Sequence, residues 1–263
     1  MKIFITGAYS GLGYAFAKEA AKRGHIVYAG VHKKEQLALL EKKSMEDNVF
    51  LFPVLFRLGK EEDYQMMDTM DFDVIILQAG IAEGGSMLEI DLNRLEKNYQ
   101  INVFENLKVL QKYLRRCLIT KQKGKIFLTS SMAAFLPLPY LGSYTSTKLS
   151  LYALGKTIQK ELKMQQLKVD LCLIMPGAYQ TGFNDYMILN KEKDMYFNDQ
   201  EAEKVTKKQQ KMFNLLEEKD FEPLAKKIVS SFEKEHLPKY ISYPFSQKLG
   251  IKIYRIFSSL LEL

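Results

Sequence analysis

The chain has 263 residues, a net charge of +7 and a hydrophobic content of 47%. These values suit one large α/β domain or two small ones with a full core, and they argue against a disordered chain. No stretch reaches the roughly 20 apolar residues of a membrane-spanning helix, and we expect no signal peptide, because Met1-Lys2 leads at once into a β-like run. Lysines alternate with glutamates in helical segments, which favours solvated helix faces over a nucleic-acid-binding patch.

The two cysteines, Cys117 and Cys172, lie within apolar segments and show no metal-ligand spacing. Buried, reduced thiols are the favoured interpretation, and they fit a cytoplasmic location. We therefore expect no metal site.

Apolar, β-branched runs alternate with amphipathic stretches along the chain. The predicted strands are Lys2–Thr6, Ile26–Val31, Val49–Leu55, Asp73–Leu77, Lys125–Thr129, Lys168–Met175 and Tyr240–Tyr243. The predicted helices lie near 12–23, 34–45, 60–69, 92–120, 144–166 and 221–236. This alternation predicts α/β architecture: a doubly wound Rossmann fold with a parallel sheet of about seven strands, flanked by helices, in a single domain. Ligands of such sheets bind at the carboxyl ends of the strands.

The first predicted strand runs directly into a glycine-rich turn and then into a helix. Gly7, Gly11 and Gly13 have the spacing G-x-x-x-G-x-G, which differs from the general dinucleotide fingerprint G-x-G-x-x-G. Glycines permit the close approach of a pyrophosphate, and a helix N-terminus offers it unpaired N–H groups. In this position a nucleotide site is favoured over a purely structural role for the glycines.

Tyr144 and Lys148 are four residues apart, so a helix places both on one face. A free tyrosine is a poor acid or base at neutral pH, and a nearby ammonium group lowers the pKa of a phenol. Taken alone, the pair is also what an exposed helix face shows by chance.

Five motifs in order resemble the short-chain dehydrogenase/reductase (SDR) family, classical type, over about residues 2–182. The motifs are T-G-x-x-x-G-x-G after the first strand, an asparagine in the helix after the fourth, a serine thirteen residues before the tyrosine, Y-x-x-x-K, and P-G-x-x-x-T after the sixth strand. The residues that match them are Thr6, Gly7, Gly11, Gly13, Asn102, Ser131, Tyr144, Lys148, Pro176, Gly177 and Thr181.

The resemblance implies hydride transfer between a nicotinamide cofactor and a carbonyl or alcohol. Tyr144 is then the acid in reduction and the base in oxidation, and Lys148 lowers its pKa and holds the nicotinamide ribose. Ser131 donates a hydrogen bond to the substrate oxygen, Asn102 positions a water that relays protons, and Thr181 holds the carboxamide. Taken singly, Ser131 is also a common cap, Asn102 a buried and satisfied amide, and Thr181 a loop residue.

The cofactor itself is predicted to be NADP(H) rather than NAD(H). Val31 stands where an acid would bind the ribose 2′-hydroxyl, and His32, Lys33 and Lys34 follow. We expect Lys33 or His32 at the 2′-phosphate, the alternative being that these are solvent charges beside a helix. The full set of predicted cofactor-binding residues is Gly7, Tyr9, Ser10, Gly11, Leu12, Gly13, His32, Lys33, Ala79, Gly80, Tyr144, Lys148, Pro176, Gly177 and Thr181.

Two residues depart from the family pattern. Gln78 replaces the second asparagine of N-N-A-G after the fourth strand, and Arg57 replaces an acid at the end of the third. The longer amide of Gln78 is expected to change the hydrogen bonds that the side chain makes to the nearby backbone. Arg57 is a candidate second positive charge near the adenine ribose. These departures keep open an alternative to the enzyme, a non-enzymatic NADP-binding sensor or scaffold on the same fold.

Two segments are expected to line the substrate side. The segment Phe135–Leu141 lies between the serine and the tyrosine, and Phe183–Phe197 is rich in large apolar residues within a lid insert at about 182–220. Such a lining favours a hydrophobic carbonyl or alcohol, lipid-, steroid- or aromatic-like, although ordinary packing of an insert is an equal alternative. Residues 199–219 are rich in Glu and Lys and are predicted to form an exposed helix.

After a domain of residues 1–245, residues 246–263 are predicted to form a basic amphipathic helix. Such a helix suits peripheral contact with a membrane surface, or docking on its own domain or on a dimer partner, which is the favoured alternative. The resemblance implies a homodimer or homotetramer.

Overall fold

The computed structural model describes residues 1–184 and 199–252, and in these ranges a seven-stranded parallel sheet carries helices on both faces. The strands are β1 Lys2–Ile5, β2 Ile26–Val31, β3 Phe52–Leu55, β4 Val74–Leu77, β5 Gly124–Thr129, β6 Val169–Pro176 and β7 Tyr240–Tyr243. Their order across the sheet is β3-β2-β1-β4-β5-β6-β7. This is the doubly wound Rossmann arrangement, and it confirms the predicted fold class.

The helices surround the sheet in two layers. They are α1 Gly11–Lys22, α2 Glu35–Glu46, α3 Met66–Thr69, α4 Leu92–Tyr99, α5 Asn106–Thr120, α6 Gly142–Met164, α7 Asp199–Leu216 and α8 Glu222–Val229. Two short 3₁₀ helices, Glu61–Gln65 and Met132–Phe135, and the π-helical segment Gln100–Glu105 complete the regular elements, together with helical residues 245–252. Within the described ranges, no helix combines the length and the apolar character that a bilayer span requires.

Two apolar cores, one on each face of the sheet, hold the layers together. Successive residues of a strand point to opposite faces, so Ile3 joins the core beneath α1 and α8 while Phe4 joins the core beneath α5 and α6. Both cysteines are free thiols buried in these cores. Strands buried on both faces explain the continuous apolar runs of the sequence.

Four elements differ from the prediction. The helix expected near 60–69 is a 3₁₀ helix, Glu61–Gln65, followed by the short α3. The strand expected from Val49 begins only at Phe52; it lies at the edge of the sheet and carries Pro53, which an edge strand tolerates because it needs no second partner. The single helix expected over 92–120 is divided by the π-helical segment between α4 and α5. The last helix, expected over 221–236, ends at Val229 and gives way to turns.

The sheet order reverses between β1 and β4, which are hydrogen-bonded neighbours with Ile3 opposite Val74. Connections leave these two strands in opposite directions, and a crevice opens at their carboxyl ends. The glycine-rich turn after β1 and the loop after β4 meet in this crevice.

Candidate active site

The turn between β1 and α1 allows very close backbone packing. Gly7 and Gly11 have left-handed φ angles of +67° and +54°, and a Cβ atom on Gly13 would lie 2.2 Å from the carbonyl oxygen of Gly7. Ser10 is the N-cap of α1, but its side chain makes no capping hydrogen bond, so N–H groups of the first helical turn remain available to an anion. The turn therefore fits the pyrophosphate of a dinucleotide.

The other turn residues have packing roles. Leu12 is buried in the core and Tyr9 packs against that core. In this turn, the glycines therefore leave space beside the backbone, and the side chains of Leu12 and Tyr9 attach the turn to the core.

The side chain of Thr6 ties the glycine turn to the end of β4. Its hydroxyl oxygen accepts hydrogen bonds from the backbone N–H groups of Gln78 and Ala79, each at 2.9 Å. The Gln78 amide in turn reaches β5, where its oxygen accepts a hydrogen bond of 2.8 Å from the Thr129 hydroxyl. The longer side chain at position 78 therefore bridges two neighbouring strands.

Asn102 lies in the π-helical segment and is fully buried. Its oxygen accepts from the N–H of Ile81 at 2.8 Å, and its NH₂ group donates to the Ile81 carbonyl at 2.9 Å and to the Thr147 hydroxyl at 3.1 Å. The side chain thus joins the loop after β4 to α6. A Cβ atom on Gly80 would lie 2.9 Å from the Asn102 oxygen and 3.7 Å from the Lys148 Nζ, which brings both residues to the same loop.

Tyr144 and Lys148 lie on α6, as predicted, with the Lys148 Nζ 5.6 Å from the centre of the Tyr144 ring. The buried ammonium group donates to the carbonyl oxygen of Thr129 at 3.2 Å. Ser131 follows β5 directly; its hydroxyl caps the next 3₁₀ helix by accepting from Ala133 at 3.1 Å. The structure brings this serine, tyrosine and lysine together at the carboxyl end of β5.

Burial affects the pKa values of both members of the pair. It raises the pKa of the Tyr144 phenol, and a hydrogen bond with Ser131 opposes this shift. Burial also lowers the pKa of the Lys148 ammonium to about 8. Desolvation disfavours the charged form of both groups. In this structure Tyr144 therefore keeps its proton at neutral pH.

Apolar side chains surround the phenol. The ring of Phe183 meets the ring of Tyr144 edge to face with 5.4 Å between centroids. The other members of this cluster, called here the Tyr144 cluster, are Ala82, Leu138, Leu141 and Phe213. Phe213 comes from α7, so the helix that the sequence predicts to be exposed packs one side chain against this cluster.

The predicted substrate segment divides between two environments. Leu138 and Leu141 belong to the Tyr144 cluster, whereas Phe135 packs on Tyr152 at 4.9 Å and contributes to the core instead. A groove of about 250 Å³ adjoins the cluster and shares Leu138 with it. The remaining lining residues of this groove are Ser86, Met87, Leu88, Pro139, Tyr140 and Gly142. The predicted lid residues between Tyr186 and Phe197 lie outside the described residues.

At the opposite end of the crevice, His32 and Lys33 are exposed immediately after β2. Their backbone N–H groups both donate to the Gln36 side-chain oxygen, at 3.2 and 3.1 Å. Partial burial, and to a lesser extent Lys33, lower the pKa of His32. Arg57 donates two side-chain hydrogen bonds to Asp63, at 2.7 and 2.8 Å, so its charge is engaged by a carboxylate rather than free for a phosphate.

The loop after β6 crosses over the glycine turn. A Cβ atom on Gly11 would lie 2.9 Å from the Thr181 methyl group, so Thr181 stands beside the start of α1. Gly177 donates its N–H to the Tyr243 carbonyl at 2.9 Å, which ties this loop to β7. Pro176 ends β6 at this point.

Gln247, for which no motif or spacing predicts a role, holds the same loop in place. Its side-chain oxygen accepts from the Ala178 N–H at 2.8 Å, and its NH₂ group donates to the Leu216 carbonyl at 2.7 Å. The helical residues 245–252 therefore dock on their own domain, which supports the favoured alternative for the beginning of the tail. Residues 253–263 lie outside the described residues.

Among residues 1–184 and 199–252, no group of three or more His, Cys, Asp or Glu side chains is arranged to hold a metal ion.

Comparison with curated proteins gives relatives whose names are those of reductases. The chain is 27% identical over 186 residues to the NADPH-dependent 3-dehydrocapnine reductase of Ornithobacterium rhinotracheale, an alignment that covers 67% of this chain. It is 28% identical over 186 residues to the 3-ketodihydrosphingosine reductase of Bacteroides thetaiotaomicron, with 70% of this chain covered. The alignments span 65% of the length of each relative.

Solved structures of low sequence identity share the fold. A short-chain dehydrogenase from Streptomyces avermitilis has a TM-score of 0.79 at 20% identity, covering 100% of this chain and 95% of its own. One from Sphingobium yanoikuyae in complex with NADPH has a TM-score of 0.72 at 18% identity, covering 100% and 96%. One from Burkholderia phymatum in complex with NAD has a TM-score of 0.76 at 18% identity, covering 99% and 95%.

The family itself is identified by the sequence. The short chain dehydrogenase family model matches residues 1–192, which is more than half of the chain. Together with the sheet order, this match shows that the chain belongs to the short-chain dehydrogenase family, a family of oxidoreductases.

Proposed function

We propose that this protein is an NADP(H)-dependent reductase that converts the ketone of a long-chain, lipid-like substrate into a secondary alcohol. The observation that carries the proposal is the convergence of Ser131, Tyr144 and Lys148 beside an apolar cluster and an open glycine turn. A non-enzymatic sensor has no need of this convergence.

The bound cofactor would supply the hydride; the chain's own residues bind it, orient the substrate and provide the proton. The open N–H groups at the start of α1 would hold the pyrophosphate, Lys148 the nicotinamide ribose, and Thr181 the carboxamide. The Thr6 and Gln247 hydrogen bonds keep the two loops around this cofactor in place.

Negative charge develops on the substrate oxygen as the ketone is reduced. Two hydrogen-bond donors aimed at that oxygen, Tyr144 and Ser131, stabilise this charge. Tyr144 carries the proton because burial raises its pKa, and it transfers that proton to the oxygen. Lys148 is a cation below pH 8 and stabilises the phenolate that remains. Asn102 holds the loop after β4 against α6, and we assign the water that returns protons to its neighbourhood.

The preference for NADP(H) is supported by charge at the end of β2. Lys33 is an exposed cation there, and no acid stands at the end of that strand to repel a 2′-phosphate. The name of one relative also includes NADPH, and one structural neighbour is in complex with it. His32 is the weaker candidate, since its lowered pKa leaves it largely uncharged at neutral pH.

The substrate class is supported by the apolar surroundings of Tyr144. The Tyr144 cluster supplies apolar contacts for hydrocarbon beside a ketone, and the groove that shares Leu138 would extend this surface along a chain. Both curated relatives are named as reductases of a 3-dehydro or 3-keto compound.

Exposed apolar side chains support assembly into a homodimer or homotetramer. Phe104, Leu118 and Leu149 are each about half exposed, on neighbouring helical elements. A cytoplasmic location completes the proposal, with membrane contact of residues 246–263 as the less favoured alternative to docking of this tail on its own domain. Sedimentation velocity and liposome flotation test these two points separately.

A panel of carbonyl compounds tests the proposed reaction, with NADPH and NADH consumption as the readout. We expect 3-ketodihydrosphingosine and other long-chain ketones to be reduced, with NADPH preferred. Failure to oxidise NADPH with any ketone, in protein that binds NADPH, would contradict the proposal.

A further inference from the structure

We propose that Gln209 determines substrate specificity: its side-chain oxygen accepts a hydrogen bond from a hydroxyl or ammonium group that the substrate carries beside its ketone. This inference rests on the proposed function, which it narrows from long-chain ketones to amphiphilic ones.

Gln209 lies on α7 and is only 6% exposed. Its Nε2 donates a hydrogen bond of 2.8 Å to the carbonyl oxygen of Pro139, in the segment before Tyr144. A backbone carbonyl can only accept, so the NH₂ group must be the end of the amide that faces Pro139. The orientation of the amide is therefore fixed, and the oxygen is directed elsewhere.

That oxygen has no hydrogen-bond partner among the residues that the structure describes. Buried polar atoms without a partner are rare, because leaving one unpaired costs stability. When such an atom lies at the wall of a binding site, a ligand group is the natural partner. The side-chain oxygen of Gln209 is accordingly an unpaired hydrogen-bond acceptor among apolar side chains.

The neighbours of Gln209 place it at this wall. Phe213, one helical turn further along α7, belongs to the Tyr144 cluster. Pro139, to which the amide is bonded, lines the groove of about 250 Å³. The amide therefore lies between the surface around the phenol and the groove that we assign to the hydrocarbon chain.

The chemistry of the unpaired Gln209 oxygen determines which substrate group can bind to it. An amide oxygen accepts hydrogen bonds and attracts hydroxyl or ammonium donors, whereas a carboxylate or phosphate offers only acceptors and would leave it unpaired. A plain hydrocarbon would also leave it unpaired. The geometry thus favours a ketone with a neutral or cationic donor on a nearby carbon over both fatty and acidic ketones.

A matched pair of substrates tests the inference. With NADPH, kcat/KM is measured for 3-ketodihydrosphingosine, which has a hydroxyl and an amino group near its ketone, and for octadecan-3-one, which has neither. We expect the wild-type protein to prefer the polar ketone at least about tenfold, since a site built for a donor discriminates against an analogue that lacks it. Gln209→Leu should abolish most of this preference.

Gln210→Leu is the matched control, because it makes the same change one position away, where the amide donates to Asn214 on the same helix. It should keep the preference. Gln209→Met is a second variant of similar shape, and thermal unfolding confirms that each variant is folded before its kinetics are compared.

Calorimetric binding of both ketones to the NADPH-loaded protein separates the role of Gln209 in binding from the proposed ketone reduction. Absence of turnover with a binding preference that Gln209→Leu removes would overturn the proposed reaction but support the role of Gln209. Equal preference in the wild type and in Gln209→Leu, or no preference in the wild type, would overturn the role of Gln209 and leave ketone reduction standing.

Discussion

The backbone N–H of Ala178 donates a hydrogen bond of 2.8 Å to the side-chain oxygen of Gln247, although the two residues are 69 positions apart in the chain. The same side chain also holds the end of α7 through the Leu216 carbonyl. A Cβ atom on the adjoining Gly177 would lie 2.0 Å from the Gln247 oxygen, so the loop and the amide are fitted closely. The start of the tail is thus part of the cofactor site that we propose.

Gln247→Leu should weaken NADPH binding. The substitution leaves the Ala178 N–H and the Leu216 carbonyl without their partner, which costs about 1–3 kcal/mol for each group that stays buried. We expect the dissociation constant for NADPH to rise about tenfold in a fluorescence titration. Ser246→Ala, an exposed change on the same helix, should leave it unchanged. Equal affinities in wild type and Gln247→Leu would show that this contact does not position the loop.

Lys33→Ala should change the choice of cofactor. Removing the exposed cation that we propose for the 2′-phosphate should weaken NADPH binding by about tenfold and affect NADH little, because only NADPH carries the phosphate. The ratio of kcat/KM for the two cofactors measures this directly. Lys34→Ala provides a neighbouring control and should leave the NADPH-to-NADH ratio of kcat/KM unchanged. If that ratio falls in Lys34→Ala and not in Lys33→Ala, Lys34 rather than Lys33 contacts the phosphate.

Lys148→Met should raise stability while it removes activity. Burial lowers the pKa of Lys148 to about 8, from an unfolded value near 10.5, so the unfolded chain binds the extra proton between these pH values. Below pH 8 the buried charge lowers the free energy of unfolding of the wild type by its full amount. Between pH 8 and 10.5 the free energy of unfolding rises, because the folded protein loses this charge. The variant has no such penalty at any pH.

We expect the melting temperature of Lys148→Met to exceed that of the wild type at pH 7, by an amount that shrinks between pH 8 and 10.5. Lys160→Met, on the exposed face of α6, is the control and should show no such convergence. A melting temperature of Lys148→Met below that of the wild type at pH 7 would mean that the bond to the Thr129 carbonyl outweighs the desolvation of the ammonium.

Much of the fold was accessible from the sequence because parallel strands buried on both faces form continuous apolar runs. All seven predicted strands are present, with small shifts at their ends. The π-helical segment was not predictable, because its apolar periodicity blends into those of α4 and α5. Asn102 is held there by contacts to Ile81 and Thr147, which only the folded chain brings together.

The candidate site shows the same division. Ser131, Tyr144 and Lys148 were predicted from the family motifs that they match, and the fold brings them together. The effect of burial on their pKa values was not predicted, since the sequence shows that a cation is near but not how deeply it is buried. Gln209 and Gln247 were missed because a glutamine in a charged helical segment has no periodic or spacing signal. Their importance comes from partners distant in the chain.

Tyr144→Phe tests most directly whether Tyr144 provides the proton for ketone reduction. The variant keeps the ring and its contact with Phe183 but lacks the hydroxyl. We predict that kcat for a long-chain ketone falls by a factor of about 10²–10⁴, typical of a lost general acid, while the NADPH dissociation constant changes less than about twofold. Tyr152→Phe, the same change on the same helix, should retain full activity. Wild-type turnover in Tyr144→Phe would contradict the account.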